Sequence, residues 1–191
     1  MARARRADPS VQQHARPADT ASQRRESIIA GVPVLEPGAK LPPLALRDDR
    51  GAPLAPNGEE TLYVVFKTTC PTCALAWPFL ERIRRTAEGG RLRVVGISQD
   101  DPDATRGFEE RLGARVAAAY DAPPWPASEA LGVSTVPTFF RVAPDGTVAE
   151  TVIGFDRARL EAFAARAADL AGRPAAPLFR PEENVPAIKP G

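Results

Sequence analysis

The sequence predicts an α/β domain in which a mixed central sheet is flanked by helices, with a small N-terminal β-hairpin extension. Three observations point there. Unbroken apolar runs at Leu62 to Phe66 and Leu92 to Ile97 each precede a stretch of helical spacing, the pattern of central strands covered on both faces. Val136 to Val142 and Thr147 to Ile153 flank Pro144-Asp145-Gly146, a turn that joins antiparallel strands. A last stripe of Leu160, Phe163, Ala164, Ala167 and Leu170, stopped by Gly172, closes the pattern with a helix.

Taken in order, residues 1–38 read as a disordered N-terminal tail, because they lack periodicity and aromatic residues and cannot bury enough surface to offset ordering entropy. Residues 39–172 form the domain. Leu41 to Leu46 alternates, Asp49-Arg50-Gly51 turns and Pro53-Leu54 returns, which gives the hairpin. After the Leu62 to Phe66 strand, Ala76, Phe79, Leu80 and Ile83 mark one face of a helix that stops at Gly89-Gly90. The Leu92 to Ile97 strand leads to Asp101 as a helix cap and Pro102 at the first helical position, with Phe108 and Leu112 on the buried face. Val116 to Tyr120 is a short strand, followed by the turn Pro123-Pro124-Trp125-Pro126. Residues 173–191 carry five prolines and read either as an extended C-terminal tail that drapes on the domain, with Leu178, Phe179, Val185 and Ile188 as candidate anchors, or as plain disorder.

Composition narrows the function. With 25 basic and 24 acidic side chains there is no overall field to draw nucleic acid or an anionic membrane. No apolar run approaches the roughly 20 residues of a membrane span, and residues 1–27 lack the apolar centre of a secretory signal, so a cytoplasmic location is expected. The single histidine, His14, lies in the polar tail. The chemistry is concentrated in its two cysteines, Cys70-Pro71-Thr72-Cys73. They stand between a strand and a helix, so Cys70 falls near the helix N-cap and Cys73 one turn further on the same face, close enough to bridge. The unpaired N–H groups of that helix end favour a thiolate at Cys70, the form that attacks a disulfide. Pro71 has a preset φ and needs no N–H donor there.

These features together resemble the thioredoxin-like superfamily, in the branch that groups cytochrome-maturation-type thiol-disulfide oxidoreductases with the alkyl hydroperoxide reductase and thiol-specific antioxidant proteins. The resemblance covers about Lys40 to Gly172 and rests on the CxxC, on Pro78 inside the following helix and on Val136-Pro137-Thr138 before an apolar strand. It implies that Pro137 is the cis-proline facing the cysteines and that an extended substrate pairs with the backbone at Val136. It implies an exchange enzyme in which Cys70 attacks and Cys73 resolves, supported by Pro71, Thr72 and Pro78. No metal or organic cofactor is expected; the partners are a protein dithiol or disulfide substrate and an electron donor or acceptor protein.

The chain also departs from that pattern. Thr69 stands where thioredoxins place tryptophan, Val64 replaces their buried acid, and Ala76 replaces the helix glutamate of the cytochrome-maturation relatives. The proton acceptor for Cys73 is thus unassigned, with Asp100 and Asp101 as the nearest acids after the neighbouring strand. Lys67, three residues before Cys70, is either a charge that favours the Cys70 thiolate or an ordinary exposed lysine. Trp77 and Trp125 either line a groove or pack in the core and rim. Two alternatives stay open: a peroxiredoxin-like peroxidase that closes a sulfenic acid at Cys70 with Cys73, and a non-catalytic thioredoxin-like binding module.

Overall fold

The computed structural model of the protein describes residues 33–47, 51 and 53–191. The expected tail over residues 1–32 and the tip of the expected hairpin lie outside the described residues. Five strands form one sheet: β1 (Glu60–Phe66), β2 (Leu92–Ser98), β3 (Ala117–Tyr120), β4 (Thr138–Val142) and β5 (Val148–Ile153), in the order β3-β2-β1-β4-β5. β1, β2 and β3 run parallel, whereas β4 is antiparallel to β1 and β5 is antiparallel to β4 at the sheet edge. The parallel half needs long connections, and these are the helices α1 (Pro71–Ala87) and α2 (Pro102–Leu112). The antiparallel half needs only the Pro144-Asp145-Gly146 turn, where Gly146 N–H donates to Ala143 O at 2.9 Å.

Two-residue alternation divides the core. Leu62, Val64 and Phe66 of β1 join Val94 and Phe139 on one face, and Tyr63 and Val65 join Val95, Ile97, Phe140 and Val142 on the other. All seven residues of β1 are buried, which is why its sequence is continuous rather than alternating. Residues of α1, α2 and the last helix, α4 (Arg157–Leu170), cover the first face. Ala127 and Leu131, in and just after the short α3 (Pro126–Ala130), cover the second with the residues that precede β1. Gly96 in β2 is required by close approach: a Cβ there would lie 2.8 Å from Val116 O and 3.0 Å from the Trp77 ring. A missing side chain thus makes room for the largest one in the core.

Four features differ from expectation. Residues 33–38 are packed rather than disordered: Leu35 N–H donates to Leu131 O at 3.1 Å, Gly38 N–H donates to Val148 O at 2.8 Å, and Val34 and Leu35 lie against the second core face. Their apolar side chains find tertiary partners that no local periodicity announces. Among the described residues the N-terminal hairpin shows one antiparallel bridge, Arg47 with Pro53, with Leu44 and Leu54 buried as its anchors. α3 appears inside the segment read as a turn, because Pro126 sits at its first position and Asp121 accepts from Ala127 and Ser128 N–H at 3.1 and 2.7 Å. Finally, two short strands were not foreseen. β6 (Phe155–Asp156) precedes α4 and pairs antiparallel with β7 (Ile188–Lys189) of the C-terminal segment.

Candidate active site

The site lies where β1 ends and α1 begins. Cys70 is the N-cap of α1, in extended conformation, and its Sγ accepts a hydrogen bond from Cys73 N–H at 3.1 Å. A sulfur therefore occupies the place that Ser or Asp usually takes at a helix start. Pro71 follows at the first helical position, where its missing N–H costs no hydrogen bond, and is exposed. Cys73 lies one turn inside and is fully buried. Burial, and after it the neighbouring Cys70 sulfur, push the Cys73 thiol far above the ordinary cysteine range. Both cysteines are free.

Tertiary packing brings a second element to the sulfur. The Cys70 thiol donates to Val136 O at 3.3 Å, across 66 positions of chain. The Val136–Pro137 bond is cis, and Pro137 is buried. Pro137 O in turn accepts from Gly154 N–H at 2.8 Å. Pro78 lies inside α1, half-buried and a turn and more beyond Cys73, so it belongs to the scaffold of the site rather than to its surface. Thr72 is only 3% exposed although it lies between the cysteines, and its hydroxyl donates to Pro190 O at 2.6 Å.

The other residues singled out in the sequence have separate employments. Asp100 accepts from the backbone N–H and the hydroxyl of Thr68 at 2.7 and 2.8 Å, which braces the loop before Cys70. Asp101 caps α2, accepting from Ala104 N–H at 2.8 Å. Neither contact involves Cys73. The Lys67 ammonium sits 5.2 Å above the Trp125 ring centroid, and the Trp125 indole N–H donates to Gln99 O at 3.0 Å. That places Trp125 on the rim. Trp77 is a core residue, fully buried, with ring centroids 4.0 Å from Phe66 and 5.4 Å from Phe108.

No family model matches the sequence, nor does any curated protein. Solved structures do share its architecture. A provisionally assigned thiol:disulfide interchange protein DsbE from Chlorobium tepidum superposes with a TM-score of 0.62 at 24% identity, over 70% of this chain and 98% of that one. The fold is thioredoxin-like. Likewise a provisionally assigned protein disulfide isomerase from Bacteroides thetaiotaomicron superposes with a TM-score of 0.61 at 13% identity, over 73% of this chain and 92% of that one. A further thiol:disulfide interchange protein of the thioredoxin family, from Chlorobium tepidum, gives 0.51 at 18% identity, covering 74% and 97%. At such identities the likeness speaks for the thioredoxin-like fold, and the chemistry must be argued from the cysteines themselves.

Two site features had almost no sequence signal. The brace from Asp100 to Thr68 joins residues 32 positions apart, and the contact of Thr72 with Pro190 spans 118. The first could have been suspected only from two adjacent acids where one cap suffices.

Proposed function

We propose that this chain is a thiol-disulfide oxidoreductase that exchanges a dithiol for a disulfide on protein substrates through Cys70-Pro71-Thr72-Cys73. The observation that carries the reading is the asymmetry of the pair: Cys70 is partly exposed at the helix N-cap, and Cys73 is buried one turn behind it with its N–H directed at the Cys70 sulfur. An attacking group must be reachable and stabilised as an anion; a resolving group must be near and protected.

In the forward direction the Cys70 thiolate attacks one sulfur of a substrate disulfide, forming a mixed disulfide and releasing the other substrate sulfur as a thiolate that takes up a proton. Cys73 then loses its proton and attacks the Cys70 sulfur. The Cys70–Cys73 disulfide forms, the mixed disulfide breaks, and the second substrate thiol leaves. Two electrons pass from the enzyme dithiol to the substrate, and a partner protein restores the dithiol. The elevated proton affinity of Cys73 makes the second step the one that depends on a base. Val136 and Pro137 form the wall along which an extended substrate segment is received.

Equilibration in glutathione buffers tests the reading. Pro71 and Thr72 add no charge beside Cys70, so the expected potential is about −270 to −200 mV, with negligible peroxide consumption. A value near about −120 mV overturns the expected poise. Rapid peroxide reduction makes the protein a peroxidase, and failure to form the disulfide makes it a binding module.

A further inference from the structure

The C-terminal segment does not end on an indifferent surface. From α4 it returns along α1, where Leu178 and Phe179 are buried and Phe179 lies 4.5 Å from the Phe79 ring centroid. Arg82 of α1 donates to Leu178 O at 2.9 Å and to Glu183 at 2.8 Å, and Glu161 of α4 accepts from Leu178 N–H at 2.8 Å. Beyond Glu183 the character changes. Residues 186–188 are exposed, Ile188 by 70%, and the segment is held by the two-residue β6–β7 ladder, by Ala187 O accepting from Arg157 N–H at 2.9 Å, and by the Thr72 hydroxyl on Pro190 O.

These last residues lie against the reactive elements. A Cβ added to Gly191 would stand 2.2 Å from Val136 O and 2.6 Å from Thr135 Cγ2. Val136 O is the same carbonyl that receives the Cys70 thiol. A Cβ added to Gly154 would stand 2.8 Å from Lys189 O and 3.3 Å from Gly191 N. β7 and the two residues after it therefore run past Gly154 to the Val136 carbonyl, and Thr72, between the cysteines, is buried beneath them.

We infer that residues 188–191 occupy the groove that a protein substrate needs, so that this segment sets substrate selectivity by size. Small disulfides reach the partly exposed Cys70 past the strap, whereas a protein disulfide, which brings an extended flanking chain, must first displace it. The inference rests on the exchange reading above. The division of the strap into a buried anchor at 178–183 and a lightly held end makes displacement local: the end can lift while Phe179 and the Arg82–Glu183 pair stay in place.

The test uses the chain of residues 1–191 and its Gly191→Val variant, whose side chain cannot fit against Val136 O, together with Glu183→Gln, which weakens the anchor. Reduction of insulin and of oxidised glutathione is followed for each. Gly191→Val is expected to raise the insulin rate constant at least fivefold and to change the glutathione rate constant less than twofold, with Glu183→Gln raising the insulin rate to a smaller extent. Equal changes toward both substrates, or a fall in insulin reduction, overturn the strap's role and leave exchange standing. If neither substrate is reduced by any of the chains, the exchange reading falls and the inference falls with it.

Discussion

The two segments that flank the folded centre, 33–54 and 173–191, have similar proline-rich character but are attached in opposite ways. The first lies along the outer edge of β5 and over the second core face, tied by main-chain bonds from Gly38 to Val148 and from Leu41 to Gly146, and by the Thr151 hydroxyl on Leu35 O. Leu44 and Leu54 close the core beneath it. The second is anchored by Leu178 and Phe179 on the first face, with half-buried Val185 against the same core, then runs through the exposed residues 186–188 to Thr72 and the Val136 carbonyl. The lesson is that apolar burial marks a permanent cover, and a short polar ladder marks one that can move.

The largest expected effect falls on the anchor. Phe179→Ala removes a ring packed between Phe79 and Phe155 and is expected to cost about 3 to 5 kcal/mol in denaturant unfolding. It should also make Cys70 react faster with bulky maleimides, because the strap loses its hold. Leu44→Ala is expected to cost about 2 to 5 kcal/mol. Here Cys70 alkylation should stay within twofold of the parent; a larger change would mean that the two covers are not independent.

A smaller effect separates the covers by acid. Arg82 and the Arg180 N–H pull the Glu183 carboxyl from the ordinary 4.5 down to about 2. Its stabilising contribution is thus fully present above pH 4.5 and is lost as pH falls through about 2. On the other cover, Lys40, with backbone and hydroxyl donation from Thr147, holds Asp145 lower still. Acid titration followed by NMR should break the Arg82–Glu183 contact before the Lys40–Asp145 contact, and the reverse order would break the comparison. The smallest effect is expected for Lys40→Met: that pair is 65% exposed on each side, so the unfolding midpoint should not move measurably.

Much of this arrangement was legible beforehand, for reasons that differ by element. β1 and β2 announce themselves because strands buried on both faces must be continuously apolar, and α1 does so because one stripe faces the sheet. The Cys70 N-cap could be read from a strand followed directly by Cys-Pro. By contrast α3 depends on the buried Asp121 carboxylate accepting from Ala127 and Ser128, and β6 and β7 depend on each other across 33 or so positions. Packing of Val34 and Leu35 was missed because two apolar residues carry no period. Ile188 was expected to anchor the C-terminal segment and instead points into solvent, since its role is carried by backbone pairing.

The sequence alone determined the sheet's central strands, the helices that connect them and the two sulfurs one helical turn apart, because each follows from periodicity and from a cap formed within a few residues. The tertiary structure decided what those sulfurs meet. Val136 O at Cys70, Asp100 beneath Thr68 and Pro190 on Thr72 come from chain segments 32 to 118 positions away, and such contacts are set by how the layers pack, which no local pattern encodes.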